Sequence, residues 1–278
     1  MAFDGLLEGN SDQWAFGTDF DDPLAGLDVA LPAALDPLEH ARFCLGLADD
    51  ALILSQRLAE WCSRAPDLED DVALANLALD LLGQARLLLG RAALVDPAVV
   101  PVLPAGSPVP AEDALAFFRD AAAFRNVQLV ELPNGDFAHV IVRLLMFSVA
   151  RLELFQQLLS SADPVLAAVA ARGVKELAYQ RDWAGRWFVT LARGTSESRR
   201  RVLAALAGLW VHQAELAEAY GLSGGAVLER VFLAGGVAQP DSVVRVGGRG
   251  RDGMHTEALS LLLAEMQVVA RAHPMGRW

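Results

Sequence analysis

Chemistry begins with side chains that ionise, coordinate or attack, and this sequence is sparing with them. It has five histidines, His40, His139, His212, His255 and His273, and two cysteines, Cys44 and Cys62. A helix builds a metal site most readily from a carboxylate and a histidine three residues apart, because that spacing puts both on one face. No histidine here follows a glutamate at that distance. Asp136 precedes His139 and Asp252 precedes His255 by three, but Asp136 stands in a turn and Asp252 in a glycine-rich stretch. The sequence therefore predicts that Asp136 caps a helix. It also predicts that Thr256 caps the last helix, with Glu257 favourable to the positive end of its dipole. The cysteines are 18 residues apart in one expected helix, roughly 27 Å at 1.5 Å per residue, too far for a disulfide. Neither has a partner at zinc-ligand spacing. A reducing compartment is the expectation.

Gly248-Arg-Gly250-Arg-Asp-Gly253 fits the spacing of a dinucleotide loop and follows a possible strand, Val243 to Val246. Such a site also needs a second strand ending in an acid, for which the remaining residues leave no room, so the expectation is a flexible loop. Its arginines, Arg245, Arg249 and Arg251, are candidates for contact with an anion or an acidic partner. No nucleophile elbow, Walker loop or His-Glu-x-x-His motif occurs.

Two glutamines are the more unusual signal. Gln84 and Gln180 each lie on the apolar stripe of a long expected helix, three residues after Leu81 and Leu177. A buried amide without partners costs about 1–3 kcal/mol. Two at corresponding places imply either a polar pair or network at the centre of a bundle, or two side chains that reach a surface.

The elements that would position them are helical. Of 278 residues, 54% are hydrophobic and only 7% aromatic; the apolar mass is Ala, Leu and Val, which suits packed helices. Long helices are expected from Pro37 to about Ser63, Leu68 to about Leu94, Phe137 to about Ser160 and Asp163-Pro164 to about Arg193. A proline-rich linker (96–110) and a short helix near 112–125 separate the two pairs, and further helices are expected at 196–220 and 256–272. Two antiparallel hairpins joined by a long crossover is a helical-bundle topology shared with ferritin-like folds. The net charge of -12 is uneven: the first 40 residues hold nine acids and no Lys or Arg, leaving 26 acids against 23 bases elsewhere. Residues 1–36 are therefore expected to be an acidic, flexible tail and 37–278 the bundle domain. No basic face for nucleic acid is evident, nor a signal peptide, nor an uncharged apolar run of the roughly 18 residues a membrane span requires. A cytoplasmic protein is expected. Lys175 is the only lysine among 23 cations, which reads as coding bias.

Several blocks carry a resemblance. Leu-Ser-Gln-Arg-Leu-Ala-Glu-Trp-Cys (54–62), Asp-Val-Ala-Leu-Ala-Asn-Leu-Ala-Leu-Asp-Leu-Leu-Gly-Gln-Ala-Arg (71–86), Leu-Pro-Asn-Gly-Asp-Phe-Ala (132–138), Gly-Met-His-Thr-Glu (253–257) and Leu-Ala-Glu-Met-Gln (263–267) resemble the C subunits of bacterial phenylacetyl-CoA oxygenases (epoxidases). The resemblance runs from about Leu38 to the C-terminus and is most specific over 54–86. It implies an all-α, ferritin-like bundle with extra helices, acting as structural partner to a catalytic sister, the A subunit, of the same fold. By the resemblance, the A subunit holds a di-iron site built on two Glu-x-x-His pairs, whose positions fall here at Leu81 and Gln84 and at Leu177 and Gln180. This chain would then hold no metal, no cofactor and no catalytic residue, with at most Glu60 or Glu153 from the outer helices. Its partners would be the other members of the complex: the catalytic A subunit, and others that include an NADPH-dependent reductase carrying FAD and an iron–sulfur cluster. Two other readings compete: a self-sufficient di-iron oxidoreductase with non-standard ligands, and a free-standing acyl-CoA-binding helical protein that uses the arginine-rich loop.

Overall fold

The computed structural model describes residues 27–221, 225–241 and 248–276. Four long helices, α1 (Pro37–Ala59), α2 (Leu68–Val95), α5 (Phe137–Leu158) and α6 (Pro164–Arg193), form two hairpins, α1 with α2 and α5 with α6, and α2 packs on α6. Each begins at an aspartate whose carboxylate accepts from a backbone N–H of the first turn: Asp36 from Glu39, Asp67 from Asp70, Asp136 from His139 and Asp163 from Val165. Those caps satisfy donors that no helix can satisfy internally. Between the hairpins the crossover forms α3 (Ala111–Phe117) and α4 (Gln128–Glu131); after them come α7 (Ser196–Leu209), α8 (Gln213–Tyr220), α9 (Gly225–Gly235) and α10 (Glu257–Ala272). No strand occurs among the described residues. The molecule is an all-α, ferritin-like bundle.

Four local expectations need correction. The helix expected at 112–125 stops at Phe117, because Arg119 turns inward to a bidentate ion pair with the fully buried Asp49, which also accepts from the Arg125 N–H. The helix expected at 196–220 breaks into a 3-10 turn at Trp210–His212, where Trp210 packs edge-on against Phe232 at 5.7 Å. The sequence pattern marks no element at Gly225–Gly235, yet α9 forms there by burying Leu228 and Phe232. Thr256 makes no side-chain capping bond; Glu131 accepts from its N–H instead.

Of the segment expected to be a tail, residues 1–26 lie outside the described residues. The carbonyl of Val29 accepts from Arg91 at 2.5 Å. Arg91 is also the hub of a buried junction. Its Nε and a terminal nitrogen donate to the two Asp163 oxygens at 2.9 Å each, and His40 Nε2 lies 2.7 Å from the same carboxylate. Thus the start of α1, the end of α2 and the start of α6 meet on one charge. Burial works to raise the Asp163 pKa, but the hydrogen bonds from Arg91 and His40 outweigh it and hold the carboxyl below its ordinary value. Cys44, close by, is pushed up to about 12 by burial and then by Asp163, so its thiol stays protonated, while Cys62 is exposed.

α2 is the one helix among the described residues that is long and apolar enough to cross a membrane by length and composition. It packs against α1, α3 and α6 within the bundle.

The glycine-rich segment, expected to be a flexible loop, is a docked clasp. Gly250 is buried, its N–H donates to Glu215 at 2.8 Å, and a Cβ there would sit 1.8 Å from the Asn126 carbonyl oxygen. Gly253 has φ +78°, a left-handed conformation that favours glycine. The possible strand at 243–246 lies outside the described residues.

Two expected outcomes test this frame. A depressed carboxylate stabilises the fold above the ordinary carboxylate range, and that contribution disappears as pH falls through its native pKa. Asp163→Asn, which keeps a capping oxygen, should therefore lower stability at neutral pH by about 3–5 kcal/mol, as for a broken buried pair, with the difference from the parent shrinking in acid; urea denaturation across pH measures it. Gly250→Ala should expel the clasp, lowering stability by about 1–3 kcal/mol and speeding tryptic cleavage after Arg251.

Candidate functional site

The four positions Leu81, Gln84, Leu177 and Gln180 lie on α2 and α6, and the register of those helices decides how they meet. Trp187 Nε1 donates to Asp70 at 2.8 Å, and Gln84 Nε2 donates to Glu176 at 2.8 Å. The helices therefore run antiparallel, with Leu81 and Leu177 at one level and both fully buried. Gln84 and Gln180 each follow by three residues in opposite directions, which separates them by about 9 Å along the bundle axis. Both are buried, so neither reaches a surface, but they do not form a pair.

Gln84 belongs to a chain of hydrogen bonds. Its Oε1 accepts from Arg151 Nε at 3.0 Å. Arg151, fully buried on α5, donates to the Leu47 carbonyl at 2.9 Å and to the Tyr220 hydroxyl at 3.4 Å, and its guanidinium lies 4.5 Å from the Phe155 ring centre. Tyr220 in turn donates to Asp50 at 2.7 Å. Asp50 also accepts from Arg251 at 3.0 and 2.5 Å and from the Val127 N–H at 2.7 Å. Burial first, and then the charge of Asp50, raises the Tyr220 pKa, so the phenol stays protonated and serves as a donor. At the outer end, Glu176 pairs with Arg172 at 2.9 Å. Asp80, beside it on α2, is raised to about 6 by burial and then by the Glu176 charge.

Gln180 differs. Neither atom of its amide has a hydrogen-bond partner, although the residue is fully buried. One terminal nitrogen of Arg151 is also without a partner.

Chemically, this centre holds two leucines, two neutral amides and a guanidinium. That set does not fit a di-iron cluster: leucine offers no donor atom, amides are weak ligands for iron, and a fixed guanidinium opposes added cations. Among the described residues no three or more His, Cys, Asp or Glu side chains are grouped to hold a metal ion. The outer-helix carboxylates do not complete a set either. Glu60, just past the end of α1, accepts from Arg57 at 3.0 Å and Asn134 at 2.9 Å, and Glu153 borders a surface cavity with Gln156 and Arg181. Two histidines are committed elsewhere, His40 to Asp163 and His255 to Glu131, each at 2.7 Å, while burial and then Arg143 lower His139 to about 4.

In the arginine-rich loop, the expectation for one residue needs correction. Arg251, expected to meet an anion or an acidic partner, is consumed by Asp50, and Arg249, which is exposed, pairs with Glu218. Arg245 lies outside the described residues. What sequence reasoning missed is Arg151, Tyr220 and Asp50. A signal was present: Arg151 falls on the apolar stripe of α5 with Leu144, Phe147 and Phe155, where a cation needs an explanation.

Comparison with known proteins agrees with this architecture. Residues 33–221 match the model of the family described as phenylacetic acid catabolic protein. The C subunit of the 1,2-phenylacetyl-CoA epoxidase of Escherichia coli (strain K12) is 39% identical over 255 residues, covering 85% of this chain and 98% of that relative. With a matching family model over most of the bundle and that identity sustained along nearly the whole relative, the chain belongs to the phenylacetic acid catabolic protein family.

Proposed function

We propose that this chain is a non-catalytic, structural member of a multicomponent phenylacetyl-CoA ring epoxidase, paired with a ferritin-like, di-iron A subunit. One observation carries the reading: the layer around Leu81 and Leu177 holds no ligand set, and the fully buried cation of Arg151 reaches into it to bond Gln84. The name of the Escherichia coli relative supplies the substrate and the type of component. In this reading oxygen activation occurs on iron in the A subunit, and electrons arrive from a reductase with FAD and an iron–sulfur cluster. This chain supplies a rigid face and no reacting group.

Two measurements test it. Co-expressed with the family's di-iron subunit, this chain carrying a tag should co-purify with it at fixed stoichiometry; no capture would overturn the pairing. The chain purified alone from iron-replete cells should carry no stoichiometric iron, and a pair of irons per chain would overturn the non-catalytic role.

The placement of the vacated centre has its own test. Combining Leu81→Glu, Gln84→His, Leu177→Glu and Gln180→His puts two acids at one level with two imidazoles flanking them. Without metal the variant should lose several kcal/mol, since buried charges lie close together. Added Co(II) should restore part of that, because a ligand of the folded state stabilises it. Recovery should be larger with Arg151→Met added. A quadruple variant as stable as the parent and indifferent to Co(II) would show that the four positions do not converge.

A further inference from the structure

A helix at the rim of a bundle normally turns polar residues to water. α2 turns leucines. Leu68, Val72, Leu79 and Leu82 are 73, 53, 64 and 45% exposed, and with Ala75 and Arg86 they repeat in alternating steps of four and three residues. That spacing holds a stripe in line to face a second helix. The inner side of α2 already buries its own stripe, with Leu74, Leu77, Leu81 and Leu88, so the outer one is surplus to the fold. Tyr179 of α6, also exposed, lies level with Leu79 in the antiparallel register and widens the patch. Isolated exposed leucines are ordinary, whereas a contiguous row marks a contact surface.

The charges at the two ends of the row select what fits it. The first turn of α2 is acidic, with Glu69 exposed. Toward the other end stands Arg86, 75% exposed along its side chain, with a long 3.7 Å ion pair to Glu112. A parallel partner with the same row would set Glu69 against Glu69. An antiparallel one sets Val72 against Leu82, Ala75 against Leu79, and Glu69 beside Arg86, and it does so twice about a two-fold axis. Self-complementarity of this kind is the requirement for an isologous dimer.

We propose that the outer face of α2 binds a second copy of this chain, antiparallel, with Glu69 of each copy meeting Arg86 of the other. The row is about 27 Å long, a narrow contact beside the ~800 Å² per partner of a standard interface, so the dimer is expected to be reversible. The proposal goes beyond the structural role proposed for the chain and does not depend on it.

Sedimentation velocity of the full-length protein between about 1 and 100 µM should show a monomer–dimer equilibrium. Leu79→Glu replaces an exposed side chain, so its melting curve should match the parent while dimerisation weakens by about tenfold or more. Glu69→Arg and Arg86→Glu should each weaken the dimer, and the two combined should restore it. A chain that stays monomeric throughout, a dimer indifferent to Leu79→Glu, or a charge swap that fails to rescue would each overturn the proposal. So would a monomeric chain whose Leu79→Glu variant loses only its binding to the di-iron subunit. Iron content and co-purification report separately on the structural role, so the two can fail independently.

Discussion

A carboxylate with no access to water must be met by charge and by hydrogen-bond donors, or the fold around it does not close. Asp50, in the middle of α1 and fully buried, imposes that constraint here. It is satisfied by groups remote in sequence: the Val127 N–H from the crossover, the Tyr220 hydroxyl at the end of α8, and both terminal nitrogens of Arg251 from the glycine-rich clasp. Each donor brings its segment down onto the bundle. Arg251 threads past Gly46, where a Cβ would stand 3.2 Å from the guanidinium, and also reaches the Gly46 and Arg125 carbonyls. Gly250 can follow only because it has no side chain to strike Asn126. The crossover at Val127, the end of α8 and the clasp thus meet on one buried charge.

The same constraint runs into the centre. Arg151 extends the network from Tyr220 to Gln84, and through it to Glu176 near the surface. In a di-iron protein of this fold the central cations are metal ions held by carboxylates and imidazoles. Here the central cation is a covalently attached guanidinium, and its surroundings suit it: a backbone carbonyl, an amide oxygen, a hydroxyl and the faces of Phe147 and Phe155. This also gives physical meaning to the preference for arginine over lysine. Arg57 bonds the Glu131 carbonyl, Arg143 the Leu132 carbonyl and Arg119 the Leu115 carbonyl, contacts in which a planar fork with five donors serves better than a point charge. A coding bias toward arginine is compatible with that, but it does not account for where these arginines sit.

The chain thereby reverses the usual distribution along one side. Charges are spent in the interior, while a row of leucines on α2 faces outward. The interior stays uniquely specified because each buried ion has a fixed partner. Among the described residues the Gln180 amide stands out, since neither its nitrogen nor its oxygen is bonded by a protein group.

What the sequence determined by itself is the part that depends on near neighbours. Asp-Pro and Asp-x-x caps bond within three residues, and apolar stripes recur every turn, so the starts of all four long helices, the two hairpins and the place of Gln84 and Gln180 on apolar stripes could be read directly, whereas their burial was left open against a reach to the surface. The resemblance implied where a di-iron relative would carry its ligands, at Leu81, Gln84, Leu177 and Gln180. The sequence did not determine which buried group meets which. Gln84 and Gln180 look like a pair on paper, yet the antiparallel register sets them on opposite sides of the leucine level. Arg251 looks like a free cation in a glycine loop until Asp50, 201 residues away, claims it. α9 is invisible in the sequence because its helix is stabilised by burying Phe232 against Phe188 and Trp210. Contacts of that kind are set by how helices pack and in what register, and only the tertiary structure decides those.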